Sequence, residues 1–370
     1  MSRVTRATIN LTALKYNLAI VKKSAPPQKI MAVVKADAYG HGMARVAQAL
    51  KEVLSEQDAF AVASIDEAVM LRAVGITNSI VVLEGFNSSA DLTLIQQHNI
   101  SVVIHHISQL ILLELQAEQV KNIKCWLKID TGMHRLGFAP DDVKKMYQRL
   151  LNTGVDTDIG LMTHLANADD RGDSKSEQQV ELFNQIVSGN PAETSLANSA
   201  AILGWPTAHG HWVRPGIMLY GVNPFVYSTE NEANKLAATL KPVMTLSAAL
   251  IAINKISKDE TIGYGSTWSC PEDMLVGVVS IGYGDGYPRH APSGTPVLVN
   301  GKRAALIGRV SMDMIMVDLR QQTDVKVGDE VTLWGDGLPV EEIAAAADTI
   351  GYELLCGVTR RVVFEYKDSE

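Results

Sequence analysis

The sequence predicts an α/β chain made of an N-terminal (β/α)8, TIM-like barrel followed by a C-terminal, mostly β domain. Two observations carry this. Through roughly the first 220 residues, short apolar runs alternate with stretches of helical periodicity, the pattern of a parallel sheet with helical crossovers. Beyond about residue 235 the runs lengthen, become rich in Val and Ile, and are separated by Gly-Asp, Asn-Gly and Asp-Gly turns. The boundary is therefore drawn at the acidic stretch 230–233, giving a barrel over 1–235 and a β domain over 236–370.

The barrel strands are expected at 30–34, 59–63, 80–83, 100–104, 123–129, 159–163, 194–197 and 213–220. Eight is the number that closes a barrel. Between them, 42–54 reads as a helix because Met43, Val46, Ala47, Leu50 and Leu54 share one face. The stretch 141–151 reads as another, opening after Ala139-Pro140 with acidic residues in its first turn. A doubly wound open sheet is the competing architecture, but no GxGxxG follows the first strand. In the second half, strands are expected at 243–256, 275–281, 296–299, 315–319, 330–334 and 358–366. Only 340–350, with its alanine run, reads as helix there.

Composition narrows the function classes. The chain has 370 residues, 46% hydrophobic and 20% charged, which fits a globular core and excludes wholesale disorder. Its 33 basic and 41 acidic residues give a net charge of −8, which disfavours a nucleic acid or an anionic membrane as the main partner. Cys125, Cys270 and Cys356 form no CxxC pair and no His/Cys cluster, so no metal and no disulfide framework is expected. Residues 1–6 lead into a mixed polar segment, and no stretch approaches the roughly 18 apolar residues of a membrane span. A cytoplasmic setting is the expectation.

Chemistry in such a barrel belongs at the C-terminal ends of the strands. After the first run comes Lys35, an amine whose burial costs several kcal/mol unless it is paired or used covalently. An amine so placed suits Schiff-base chemistry with an aldehyde, and a lysine reaching from the strand end to solvent is the equal alternative. After the fifth run, Lys128 and Asp130 share one strand face, and Arg135 follows in a Gly-bounded loop able to recognise a carboxylate. His164 follows the sixth run and Asn198-Ser199 the seventh, and Arg214 stands near the eighth. Gly216 and Ile217 could offer backbone N–H groups to a phosphate, the recurrent late-strand site of barrels. A lysine, two arginines and a phosphate cradle on one rim describe a site for pyridoxal 5′-phosphate.

Five segments then resemble the signatures of bacterial alanine racemases, in the family's order and across essentially the whole chain. They are Val33 to Gly42, Lys128 to Gly137, Gly263-Tyr264-Gly265-Ser266-Thr267-Trp268, Ser280 to Arg289, and Gly308-Arg309-Val310-Ser311-Met312-Asp313. The resemblance implies a pyridoxal-phosphate barrel, a C-terminal β domain, and a head-to-tail homodimer whose sites each draw on both chains. It implies that Lys35 holds the cofactor aldehyde and that Tyr39, Ser199, Gly216, Ile217 and Tyr352 contact its phosphate. Arg214 would face the pyridine nitrogen, and Arg135 would lie near the phenolic oxygen and the substrate carboxylate. Lys128 matches a lysine often carbamylated in the family, which orients Arg135. Tyr264 matches the second acid/base, supplied by the partner subunit. Met312 would offer backbone to the substrate, with Tyr283 and Asp313 at the entrance.

Moving an α-proton from one face of a planar intermediate to the other is most direct with two bases, and Lys35 and Tyr264 are the candidates. A free tyrosine titrates near 10, so such a base needs help near neutrality. His164, hydrogen-bonded between Tyr264 and Arg214, would provide it. Arginine at the pyridine nitrogen accepts no proton, which should suppress transamination. The implied activity interconverts L- and D-alanine, supplying or degrading D-alanine for peptidoglycan. Rival readings are a racemase of broader specificity, a pyridoxal-phosphate decarboxylase and a non-catalytic cofactor-binding protein. The decarboxylases carry a cysteine where Ser311 stands, and the binding proteins lack the β domain. His105-His106 and His209-Gly210-His211 read as surface or loop histidines, and the run from Asp169 to Asp173 as a solvated loop.

Overall fold

The computed structural model describes residues 5–155, 158–225 and 232–368. Eight parallel strands close a barrel in chain order: β2 (Lys29–Val33), β3 (Ala59–Val62), β4 (Ser79–Val82), β5 (Ser101–Ile104), β6 (Cys125–Lys128), β7 (Gly160–Met162), β8 (Thr194–Ser195) and β9 (Trp212–Val213). Closure is made where Lys29 and Ile30 pair with Trp212 and Val213. The strands are near-continuous apolar runs because they are buried on both faces, by the barrel interior and by the helical ring. Ser64 and Ser88 open the helices Ile65–Ala73 and Ser89–Gln97 with full capping boxes, satisfying N–H groups that the helix itself leaves unpaired.

The last barrel strand is shorter than the 213–220 expected. It ends after two residues because Pro215 has no N–H to give a ladder, and Ile217–Tyr220 then coils into a 3-10 turn. The ring is completed from the other end of the chain by the helix Leu11–Ser24. Its buried Asn17 donates to Leu219 and Lys241 carbonyls at 3.0 and 2.8 Å and accepts from Lys241 N at 2.9 Å.

The second half is an eight-stranded, mostly antiparallel sheet. In chain order after β10 (Met244–Ile256) come β11 (Thr261–Ile262) and β12 (Trp268–Ser269), which form a separate two-stranded ribbon. Then follow β13 (Met274–Val279), β14 (Pro296–Val299), β15 (Lys302–Ile307), β16 (Ile315–Asp318), β17 (Glu330–Trp334) and β18 (Val363–Lys367). The first strand of the chain, β1 (Arg6–Asn10), lies between β10 and β18 in this sheet, so residues assigned by the boundary at 235 to the barrel half belong to the sheet of the other half. The expected strand 358–366 begins only at Val363, and the helix Gly351–Cys356 was not expected at all. Part of the acidic stretch 230–233 lies outside the described residues, and Glu232–Ala237 is helical.

Candidate active site

A cavity of about 680 Å3 opens at the C-terminal ends of the barrel strands. Ten of the residues singled out from the sequence line it together: Lys35, Tyr39, Lys128, Arg135, His164, Ser199, Arg214, Gly216, Ile217 and Tyr352. They come from β2, β6, β7, β8 and β9, their following loops, and the helix Gly351–Cys356. That short helix carries Tyr352 over the barrel mouth, where its ring centroid lies 5.9 Å from that of Tyr39.

Lys35 opens an unusual segment. The four residues Ala36, Asp37, Ala38 and Tyr39 all have positive φ, between 51° and 56°, forming one left-handed helical turn. Each such residue costs about 1–2 kcal/mol against its right-handed form. The turn is tied at several points: Ala36 N donates to Glu67 Oε1 at 2.7 Å, and Met43 N to Asp37 Oδ1 at 2.7 Å. Glu67 is also the third residue of its helix and accepts from Ala63 N at 2.8 Å, so one carboxylate joins the end of β3 to the Lys35 turn. Gly40 must be glycine, since a Cβ there would collide with the Leu355 carbonyl of the helix that carries Tyr352.

Arg214 is buried and bonded through Nη1 and Nη2. It donates to Ser195 Oγ and Thr163 O at 2.6 Å each and to Leu196 O at 3.0 Å, and Nη2 lies 3.2 Å from His164 Nδ1. Burial lowers its pKa to about 10, so it remains a cation near neutrality. Burial, together with Arg214, Lys128, Arg135 and Lys35, holds His164 neutral, well below the ordinary imidazole range. Lys128 falls to about 8 for the same reasons, burial first and then the charges of Arg214, Arg135 and Lys35. The rim is thus a concentration of positive charge in a protein of net charge −8.

The loop that carries Arg135 is shaped by Asp130, which accepts from Gly132 N and His134 N at 3.0 Å each. Gln179, fully buried on the helix Lys175–Val187, was not singled out from the sequence. It donates to Thr131 Oγ1 and His164 O at 3.1 Å each, clamping the loops after β6 and β7 together. Only its helical placement gives it away: a buried glutamine facing two strand ends has no linear motif. His105, read as a loop or surface histidine, stands in the loop after β5 and also lines the cavity, half-buried, with Nε2 2.9 Å from Glu84 O. The run from Asp169 to Asp173 is a loop of half-buried and exposed residues before the helix Lys175–Val187, and the Asp169 charge adds to the burial that raises Tyr352 to about 12.

A phosphorylated aldehyde fits these donors. Ser199 Oγ accepts from Gly216 N at 2.9 Å and Met218 N at 3.3 Å, which leaves its own proton to give. A Cβ on Gly216 would stand 2.6 Å from Tyr39 Oη and 3.9 Å from Ser199 Oγ, so the glycine keeps clear a space onto which two hydroxyls converge. The N–H of Gly216 points to the same place, donating to Ser199 Oγ. Two hydroxyls, an adjacent cationic rim and an amine on the same wall suit a phosphate at one end and a carbonyl at the other.

Tyr264, Tyr283, Met312 and Asp313 do not line the cavity. They stand on turns and loops of the C-terminal half, where Tyr264 is 69% exposed on the turn between β11 and β12. Tyr283 and Met312 are held side by side, with Tyr283 N donating to Ser311 O at 3.0 Å and Gly284 N to Met312 O at 2.9 Å. Asp313 is paired with Arg361. Among the described residues no group of three His, Cys, Asp or Glu side chains is placed to hold a metal ion, and no helix is long and apolar enough to cross a membrane.

A closed parallel barrel with a lysine, arginines and a hydroxyl cradle at its mouth, followed by a β domain bearing exposed aromatics, defines a two-domain barrel protein with its site at the C-terminal ends of the strands. Residues 9–224 match the model of the alanine racemase N-terminal domain, and 243–366 that of the C-terminal domain. The chain belongs to the alanine racemase family. It is 50% identical over 365 residues to an alanine racemase of Coxiella burnetii, covering 98% of this chain and 99% of that one. With an alanine racemase of Halorhodospira halophila the identity is 49% over 371 residues, the whole of both chains. The solved biosynthetic alanine racemase of Pseudomonas aeruginosa superposes with a TM-score of 0.93 at 44% identity, covering 99% of this chain and 100% of that one.

Proposed function

We propose that this protein interconverts L- and D-alanine with pyridoxal 5′-phosphate, as a homodimer in the cytoplasm. The observation that carries the reading is the single cavity in which Lys35, Arg135, Arg214 and the Tyr39–Ser199–Gly216 cradle meet. The cofactor would supply a carbonyl carbon for the substrate amine and a ring able to take up the electron pair left at Cα.

Lys35 Nζ would hold the aldehyde carbon and serve as the proton-moving base on one face. Tyr39 and Ser199 hydroxyls would bind the phosphate, with Ile217 and Tyr352 closing the cradle. Arg135 would pair with the substrate carboxylate, and a carbamylated Lys128 would orient that guanidinium. Arg214 donates only, so facing the ring nitrogen it would accept no proton from it and would discourage transamination. Tyr264 Oη, from the partner subunit, would move the proton on the opposite face, assisted by His164. Met312 would present backbone to the substrate, and Tyr283 and Asp313 would frame the entrance. The exposure of Tyr264 in one chain supports this sharing, since an aromatic acid/base is of no use in open solvent. The domain division at about 235 is read the same way, as one half holding the cofactor and the other reaching to a neighbour. D-Alanine made or consumed here would serve or drain peptidoglycan synthesis.

The test is the visible spectrum of the purified protein. A Schiff-base band that vanishes on borohydride treatment, with the label fixed on Lys35, is expected together with L- to D-alanine conversion. A colourless protein that takes up no pyridoxal 5′-phosphate would overturn the reading.

A further inference from the structure

Within the motif that carries Lys35, His41 has no part in the chemistry above, yet it is the most enclosed titratable group near the site, with no exposed surface. Its Nδ1 lies 3.0 Å from Ala38 O and 2.9 Å from Tyr39 O. Both neighbours are carbonyl acceptors, so the proton sits on Nδ1 and is shared between them. Among the described residues the other nitrogen, Nε2, is buried with no hydrogen-bond partner, which leaves the ring's polar attachment to Nδ1.

These two carbonyls terminate the left-handed turn that opens with Lys35. A turn of this hand is not self-sustaining in L-residues; Ala38 O also accepts from His41 N at 3.1 Å, so the distinctive contribution of the imidazole is its bond to Tyr39 O, in an apolar interior. The His41 ring also packs against Tyr220, tilted by 32° with centroids 4.6 Å apart, and Tyr220 stacks on Tyr39 at 4.8 Å. Tyr220 Oη in turn donates to Val33 O at 2.9 Å, at the end of the strand that precedes Lys35. His41 therefore grips the turn twice, through its carbonyls and through a column of rings that ends on Tyr39.

We infer that His41 is a positioning residue that holds the left-handed Lys35–Tyr39 turn in the geometry needed to present the Lys35 amine and the Tyr39 hydroxyl to one ligand. The inference deepens, and rests on, the proposed use of Lys35 and Tyr39 as cofactor ligands. Its physical content is separate: the Nδ1–H bond, not the bulk of the imidazole, keeps the turn.

Two variants of the full-length protein separate bond from bulk. His41→Asn retains an N–H donor at the place of Nδ1, whereas His41→Leu fills similar volume with no donor. Hydrogen exchange of the amides in 36–42, without added ligand, should quicken about tenfold in His41→Leu and stay within about threefold of the unmodified protein in His41→Asn. The dissociation constant for pyridoxal 5′-phosphate, titrated by absorbance, should follow the same pattern, about tenfold weaker in the leucine variant. In the unmodified protein, long-range proton–nitrogen correlation should place the His41 proton on Nδ1, a measurement that needs no variant to fold. Native exchange in His41→Leu, equal losses in both variants, a rise spread evenly over the barrel, or a proton on Nε2 would each overturn the inference. If the unmodified protein binds no pyridoxal 5′-phosphate while the exchange pattern holds, the cofactor reading fails and the role of His41 in the turn stands.

Discussion

Nη2 of Arg214 lies 3.2 Å from Nδ1 of His164, and because a guanidinium only donates, the histidine must accept there and carry its proton on Nε2. Burial and then Arg214 lead the causes that keep this imidazole neutral. Arg214→Gln removes that charge while keeping amide donors for the surrounding carbonyls. His164 should then titrate at a higher pH, followed by histidine proton or nitrogen shifts, and kcat for racemisation should fall about a hundredfold. An unmoved His164 titration would separate the two residues electrostatically and remove Arg214 from this role.

Much of this site was legible before the fold, and the reason is local. Lys35, Lys128, His164, Ser199 and Arg214 each follow an apolar run, and a parallel barrel places every such end on one rim. What was not legible depends on contacts far apart in the chain. β1 pairs with β10 and β18, more than 230 residues away, which no periodicity in residues 6–10 announces. The strand Lys302–Ile307 begins with two cations, and the helix Gly351–Cys356 begins with a glycine, so neither reads as its own type. The left-handed turn after Lys35 is harder still, because Ala-Asp-Ala-Tyr has no intrinsic preference for positive φ. It exists because Glu67, Asp37, His41 and Leu355 surround it.

Lys128 should respond to pH and to carbon dioxide together. As a free amine it falls from 10.5 in the unfolded chain to about 8 in the folded one, so its contribution to stability rises with pH through that window. The penalty is fully present below 8, where the folded protein must bury a cation among cations. Carbamylation joins the neutral amine nitrogen to carbon dioxide and releases a proton, turning this repulsion into attraction for Arg135 and Arg214. With labelled bicarbonate, a carbamate carbon resonance should grow from pH 7 to 9 in the unmodified protein and be missing in Lys128→Ala. No such resonance at pH 9 would leave Arg135 to be oriented by other means.

Gly216 and Tyr39 should be energetically coupled. A Cβ at position 216 would stand 2.6 Å from Tyr39 Oη, closer than side chains tolerate, so Gly216→Ala must displace the hydroxyl. Pyridoxal 5′-phosphate should bind about tenfold more weakly as that donor leaves the cradle. In a Tyr39→Phe background the hydroxyl is already gone, and the alanine should cost little more. The double-mutant cycle reads the coupling directly. Additive losses would mean that Gly216 matters for the backbone around Ile217 and not for the space it leaves to Tyr39.

The separation of Lys35 from Tyr264 makes the sharpest prediction. Lys35 lines the cavity, whereas Tyr264 is 69% exposed on the β11–β12 turn and does not line it. Lys35→Ala and Tyr264→Phe should each lose several orders of magnitude of racemisation alone, with α-proton exchange from L-alanine hit hardest in the tyrosine variant. If each site takes its lysine from one chain and its tyrosine from the other, a mixed dimer has one site missing both groups and one site intact. Unfolding and refolding the two inactive variants in equal amounts should then restore about a quarter of the native activity, since half the dimers are mixed and each has one working site. If the tyrosine instead served the site of its own chain, every site in the mixture would lack one group, and no activity would return.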